Sequence, residues 1–364
     1  MKKLKVFLRI PQVADCGVGW YRQYLPLAIA RQKGECNFLC NKFTWGERQD
    51  DTQMTDAELK EAGNYGDILY FARNDVPKYI AEAGGMKEFF KKPIVMDLDD
   101  NVQVTRPYNP GYRSFHPNSP NMSWNIKSMG VFDALTVSTK NLKEYYAKYM
   151  DKDKIFICPN SLDWKEREEA YEADFSQSKL FHKKDGEIRI GWAGSSAHWE
   201  NMKHIEEPVV QILRDYPNTT FYYTGLFGDL FQQQDIKDRV HLLPWSNLKG
   251  WAKFNREMNF DIALAPLADN MFNRAKSNLR LLEYSSARYP IIASPVEPYL
   301  NFDGVLYAKE QDEWYNQIEK LVKDKNLRDK HGMESYKFAK KNFDMDKNYQ
   351  IWLDAFNKIL KSVK

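Results

Sequence analysis

The feature that most constrains this chain is an alternation that runs through it twice. Short apolar runs, "KVFLRI", "DILYFAR", "PIVMDLDD", "ALTVST" and "KIFICPN", are separated by stretches with helical spacing. After a break the pattern restarts as "EIRIGWAG", "TTFYYTG", "RVHLLPW", "DIALAPL", "PIIASP" and "GVLYAK". Brief apolar runs joined by amphipathic crossovers are the pattern of parallel α/β units. The expected architecture is therefore two doubly wound domains. Ligands of such sheets bind at the carboxyl ends of the strands, so two facing domains put a site in the cleft between them.

The break lies in "SLDWKEREEAYEADFSQSKLFHKKDG", which is charged and poor in aliphatic residues. The expected division is residues 1–165, a linker over 166–186, a second domain over 187–340, and a final helix over 341–364. In "NYQIWLDAFNKIL", Ile351, Trp352, Ala355 and Ile359 form one stripe, which predicts a helix returning to the first domain. Within the first domain "DCGVGWY" reads as a Gly-containing turn and "VPKYIAEAGGMKEFFKK" as a broken helix.

The chain has 364 residues, 43% of them apolar, enough for two cores. Its net charge of +3, from 53 cations and 50 anions, excludes a strongly polybasic protein but not a local basic patch. Cys16, Cys36, Cys40 and Cys158 lack the spacing and histidines of a zinc site and read as reduced thiols. No apolar run approaches the ~20 residues of a membrane span, and the first apolar run is too short for a signal peptide. A soluble, cytoplasmic protein is expected.

The chemistry concentrates in "NRAKSNLRLLEYSSARYPIIASP". Arg274 and Lys276 precede a helix that Ser277 is suited to cap, with Asn278 beside it. Unpaired N–H groups and the dipole already make that terminus electropositive, so added cations point to a bound anion. Glu283 lies about 9 Å further along the axis at ~1.5 Å per residue. That is roughly the span from a diphosphate to the ribose of a nucleotide, whose hydroxyls a carboxylate accepts. A surface helix with a basic start and an unrelated acid would carry the same letters.

Other segments are weaker alone. "RIGWAGSSAHWEN" runs a strand into Gly191, Gly194, Ser195 and Ser196, where backbone and hydroxyls suit phosphate, followed by His198. Gly17 and Gly19 lack the third glycine of a dinucleotide fingerprint and the Gly-Lys-Ser/Thr of a P-loop; a cleft-facing loop and a plain turn fit equally. "MDLDD" ends a strand with Asp97, Asp99 and Asp100; Asp97 and Asp99 share a side and suit a divalent ion, an acceptor or a cap. Trp245 suits a nucleobase or ordinary packing. "TRPYNPGYRSFHPN" mixes Arg106, Arg113 and His116 with Tyr108, Tyr112 and Phe115, a mixture found where polyanions, bases or sugars bind.

Taken together, "GWAGSSAHWEN", "DIALAPL" and "RAKSNLRLLEYSSARYPIIAS" resemble the donor-binding domain of GT-B glycosyltransferases, closest to family 4-like enzymes, over roughly Glu187 to Val322. The resemblance implies two Rossmann-like domains facing a central cleft, with the sugar nucleotide mostly on the second. It implies that Glu283 is the second acid of the family's Glu-x7-Glu motif and binds ribose. Ala275 stands where the first acid, which meets the donor sugar, would be. The family's Arg and Lys after the first strand of this domain lack equivalents, a task that falls to Arg274 and Lys276.

The expected activity is transfer of a sugar from a UDP- or GDP-type nucleoside diphosphate to an acceptor hydroxyl. A retaining course is expected, with no cofactor and no metal. Asp99, Asp100, Arg274 and Lys276 are the catalytic candidates. Gly17, Gly19, Gly194, Ser195, Ser196, His198, Trp245, Ser277, Asn278 and Glu283 are assigned to the donor; Arg106, Tyr112, Arg113 and His116 to the acceptor. The acceptor stays open among a glycan, a lipid-linked sugar and a modified DNA base, as do a sugar-nucleotide epimerase on the same fold and a metal-dependent transferase using Asp97 and Asp99.

Overall fold

The computed structural model describes residues 3–10, 17–40, 54–73, 77–225 and 227–362. Cys16 and the start of the expected first turn lie outside the described residues. Among the described residues twelve strands divide into two sheets. The first holds β1 (Leu4–Arg9), β2 (Cys36–Cys40), β3 (Ile68–Ala72), β4 (Ile94–Leu98), β5 (Ala134–Val137) and β6 (Ile155–Ile157), in the order β2-β1-β3-β4-β5-β6. The second holds β7 (Ile188–Trp192), β8 (Thr219–Tyr223), β9 (Val240–Leu242), β10 (Ile262–Ala265), β11 (Ile291–Ala293) and β12 (Val305–Tyr307), in the order β12-β11-β10-β7-β8-β9.

Every pairing is parallel, with Val6 opposite Ile68 and Ile190 opposite Ile262. Parallel strands covered by helices on both faces are buried throughout, as β3, β4, β5, β10 and β11 are, and their residues are apolar except Asp97 in β4 and Thr136 in β5. In each sheet the chain order reverses once, between β1 and β3 and between β7 and β10, and the crevice forms at those points.

Local structure departs from the sequence expectation at several points. The expected turn at Gly17 and Gly19 is helical: a wide π-turn runs over Gly19–Tyr24 and leads into the helix Leu25–Gln32. Pro26 lacks the N–H that would bond to the Arg22 carbonyl. That carbonyl instead accepts from Trp352 Nε1 at 3.0 Å and from the Tyr70 hydroxyl at 3.3 Å. The "broken" helix is continuous over Pro77–Phe90 despite Gly84 and Gly85. β2, an edge strand, and the helix Asp56–Tyr65, closed by a Thr55–Glu58 capping box, are additional elements. The charged stretch after residue 161 contains the helix Trp164–Tyr171, capped by Asp163, with Trp164, Arg167 and Ala170 buried at a spacing of three.

The helix Met345–Ser362 packs on the first domain, where Trp352 and Phe356 are fully buried and the Phe356 ring meets Tyr70 edge-on at 5.1 Å. The chain thus crosses between domains twice, and the crossings are laced together. Leu162 N–H donates to Phe343 O at 3.0 Å, Met345 N–H to Leu162 O at 2.9 Å, and Asn348 to the Ser161 hydroxyl at 2.9 Å. Among the described residues no helix is long and apolar enough to cross a membrane.

Candidate active site

A cavity of about 360 Å³ opens between the two sheets. Its second-domain wall is carried by the turn after β7 and by the helix Leu279–Ser286; its first-domain wall by Gly17 to Arg22 and the end of β4. The structure brings Gly17, Asp99, Asp100, Gly194 and His198 together there. Trp245, Lys276, Ser277 and Glu283 join them.

Glu283 is held before any ligand arrives. Its Oε1 accepts from the Tyr21 hydroxyl at 3.0 Å and from Trp251 Nε1 at 2.7 Å. Tyr21 in turn accepts from Arg167 Nη2 at 2.6 Å. Burial raises the Glu283 carboxyl above its ordinary value, while Arg167 and the two hydrogen bonds oppose that shift. Ala275, in the position of the missing acid, is buried, and its carbonyl accepts from the Thr139 hydroxyl of the first domain at 2.9 Å. It does not line the cavity.

Helix Leu279–Ser286 starts one residue later than expected, with Asn278 at the cap and making no side-chain cap bond, while the Ser277 hydroxyl accepts from Leu279 N–H at 3.4 Å. Ser277 turns toward the first domain and accepts from Asn160 Nδ2 at 2.8 Å. Leu281 N–H donates to the Asn278 carbonyl at 2.9 Å, so among the described residues the Arg280 N–H is the first-turn donor left to meet an anion.

The cation that faces this terminus is Arg280, whose place in the sequence does not single it out. Its guanidinium lies 4.8 Å from the Trp192 ring centroid, donates to the Ala193 carbonyl, and pairs with no acid among the described residues. Gly194 makes room: a Cβ there would lie 2.6 Å from the Trp192 ring and 2.8 Å from Arg280 Nη2. Gly191, by contrast, serves packing, since the Phe260 ring fills its side-chain space.

His198 is held neutral, its pKa pushed well below the usual value by burial and by Arg280 and Lys276. Asn201 Oδ1 accepts from Ala268 N and Asn273 Nδ2, so its amide nitrogen faces His198 Nδ1 at 2.8 Å as a donor. The imidazole proton then sits on Nε2, 3.2 Å from Arg280 Nη2. With Nε2 protonated the two nitrogens are both donors, and an acceptor entering between them would relieve the opposition.

The opposite wall carries the acids. Lys276 Nζ reaches across the cleft to Asp100 Oδ1 at 3.1 Å. Asp99 is raised to about 6, by burial first and then by repulsion from Asp100. Asp97 is not part of this pair. Fully buried, it takes Arg22 Nη2 at 2.8 Å, Arg22 Nε at 3.1 Å, Tyr70 at 3.0 Å and Thr136 at 2.6 Å. β4 ends at Leu98, so Asp99 leaves the strand's alternation and does not share Asp97's side.

Several expected residues stand elsewhere. Arg274 faces outward and is half exposed, bound to Asp269 at 2.5 and 2.8 Å. Asn278, Ser195 and Ser196 shape the turns without lining the cavity, and Gly19 packs on Ile10. Arg106 reaches across to Glu200 of the second domain at 3.4 Å, Tyr112 leans on His116, and Arg113 is exposed; none of these lines the cavity. Tyr21 and Arg167 carry no local motif, because their role depends on a partner helix far along the chain.

No protein-family model and no curated protein matches the chain. Solved structures do. HepE of Anabaena, in complex with UDP, matches over 97% of this chain and 99% of its own at 13% identity, TM-score 0.64. UDP-GlcNAc 2-epimerase of Neisseria meningitidis, bound to UDP-GlcNAc, matches over 98% and 100% at 13% identity, TM-score 0.56. A mutant of S. aureus TarM, with fondaparinux, alpha-GlcNAc-glycerol and UDP, matches over 80% of this chain and 55% of its own at 11% identity, TM-score 0.55. Likeness at these identities is one of architecture: the chain has the GT-B fold, two Rossmann-like domains facing one cleft with the last helix crossing back.

Proposed function

We propose that the protein is a glycosyltransferase that uses a nucleoside diphosphate sugar, of UDP type, as donor. The observation that carries this reading is Arg280, a half-buried cation with no ion pair among the described residues, in the first turn of the helix that also bears Glu283. The diphosphate takes the Arg280 N–H and guanidinium and His198 Nε2–H; the ribose takes Glu283; the base lies toward Trp245. Stabilising charge on a leaving diphosphate is the main electrostatic task of such a reaction. Lys276 leaves Asp100 to share it. The solved structures of the same fold that hold UDP, or a UDP sugar, support the choice of nucleotide.

Asp99 faces the reacting centre from the acceptor side. A carboxyl raised to about 6 is matched to taking a proton from an acceptor hydroxyl near neutral pH. No metal or cofactor is assigned, because protein cations stand where a metal would neutralise the diphosphate. Loss of Ala275's counterpart acid bears on the sugar and on the retaining course, which NMR of the product anomer reads directly.

Calorimetry with UDP, GDP and uridine, followed by mass spectrometry of UDP-sugar reactions, tests the proposal. The expected result is UDP binding and sugar transfer. Conversion of the UDP sugar to its epimer without any acceptor would replace the transferase reading with the epimerase one. Absence of nucleotide binding would remove both.

A further inference from the structure

The chain's net charge is +3, yet residues 102–150 alone hold six Lys or Arg and two acids, a net of +4. The other residues are therefore close to neutral. From Asn101 to Phe132 there is no acid at all. This segment forms one surface of the first domain. The Gln103 amide donates to Asn125 Oδ1 at 3.0 Å and accepts from Tyr149 at 2.7 Å and Tyr145 at 3.2 Å, tying the helix Pro120–Ser128 to the region of the helix Lys140–Tyr146.

The two acids are already neutralised, Asp133 by Lys87 at 2.7 Å and Glu144 by Lys152 at 2.5 Å. Arg106 pairs with Glu200. The remaining cations, Arg113, Lys127, Lys140, Lys143 and Lys148, make no ion pair among the described residues. Two of them rest on rings instead: Lys127 Nζ is 4.7 Å from the Trp124 centroid, and Lys148 Nζ is 3.7 Å from Tyr145 and 4.9 Å from Tyr149. The surface borders the cleft. Thr139 and Asn141, on either side of Lys140, hydrogen-bond the Ala275 and Arg274 carbonyls, and Asp99 and Asp100 stand on the same wall.

We infer that this surface guides a single-stranded nucleic acid to the cleft, so that the acceptor hydroxyl belongs to a nucleic acid. The inference rests on the transferase reading and names its acceptor class. Uncompensated cations track a phosphate backbone, and aromatic side chains interleaved with them offer faces or edges to bases. A neutral glycan needs the rings but not the charge, and a polyanion without bases needs the charge but not the rings.

The test is fluorescence anisotropy with a labelled single-stranded DNA of about 20 nucleotides, titrated between about 50 and 200 mM salt, with dextran sulfate and the matching duplex as comparison probes. Replacing Lys127 and Lys148 together by Ala is expected to reduce the slope of log affinity against log salt by about 1.4. Trp124→Ala is expected to weaken the oligonucleotide about 5- to 150-fold and leave dextran sulfate unchanged. UDP binding, unchanged in all three proteins, verifies folding and is read separately. UDP binding without oligonucleotide binding overturns this inference alone; failure of both overturns the donor reading as well. Equal binding of dextran sulfate with no effect of Trp124→Ala, or tighter binding of the duplex, also overturns it.

Discussion

Tyr21 and Glu283 stand 262 positions apart and on opposite domains, and their side chains meet at 3.0 Å across the cleft. The acid expected to hold the nucleotide is thus oriented by the other domain. Tyr21→Phe removes that donor and leaves Arg167, whose Nε and Nη1 already lack hydrogen-bond partners, without its remaining one. The carboxyl of Glu283 then rises further, because Tyr21 and Arg167 oppose its burial shift. UDP affinity should fall as pH drops through that carboxyl's range, and in Tyr21→Phe the fall should begin at higher pH. Calorimetry across pH checks this; an unshifted profile refutes the coupling.

Glu283→Ala removes a charged hydrogen bond to ribose, about 1.5–3 kcal/mol, or roughly 10- to 150-fold in UDP affinity. Binding of 2′,3′-dideoxy-UDP should be nearly unaffected. A parent-like affinity for UDP in the variant would dissociate this residue from the nucleotide.

Arg280→Met should cost UDP affinity but not uridine affinity, since only the diphosphate meets the guanidinium. Arg274→Ala should leave both unchanged, because that side chain is committed to Asp269 outside the cavity. Reversal of these two outcomes would restore Arg274 as the phosphate ligand.

A folded-state carboxyl raised to about 6 favours the fold below its unfolded value and loses that contribution as pH rises through about 6. The thermal midpoint of the parent should therefore decline as pH rises from the ordinary carboxyl value of 3.8 to about 6. Asp99→Asn should flatten the decline while lowering turnover with UDP affinity nearly unchanged. Turnover of the parent should rise over the same interval as Asp99 becomes a base.

Turnover should persist in EDTA. Asp97 is committed to Arg22, and among the described residues no three His, Cys, Asp or Glu side chains gather as a ligand set. Loss of turnover in EDTA with rescue by manganese would assign a metal to Asp99 and Asp100.

The two-sheet plan was legible because buried parallel strands are largely apolar, so most of the runs mark themselves, whereas the half-buried edge strand β2 does not. Lys276 and Glu283 were legible for a local reason: one stands just before a short helix and the other lies on it. Arg280 obeys the same rule as Lys276, a cation where a helix start favours acids, and stands in the same quoted stretch. Arg274 obeys it too, and only the nearness of Asp269 tells the two apart. Tyr21 and Arg167 had no such signal. Their chemistry arises where three helices from distant parts of the chain converge, and no local spacing encodes that. The helix Trp164–Tyr171 was hidden by its composition, since its buried face is Trp, Arg and Ala rather than aliphatic.

The return of the final helix has a consequence for how the molecule is made. The second sheet and its helices are built from contiguous sequence and are complete once residue 342 has been synthesised. The first domain emerges earlier but stays unfinished, because Trp352 and Phe356 fill its core and Trp352 takes the Arg22 carbonyl that Pro26 cannot. The half of the protein that is translated first is therefore the half that matures last, and a chain stopped before Met345 would present a finished nucleotide-facing domain beside an open one.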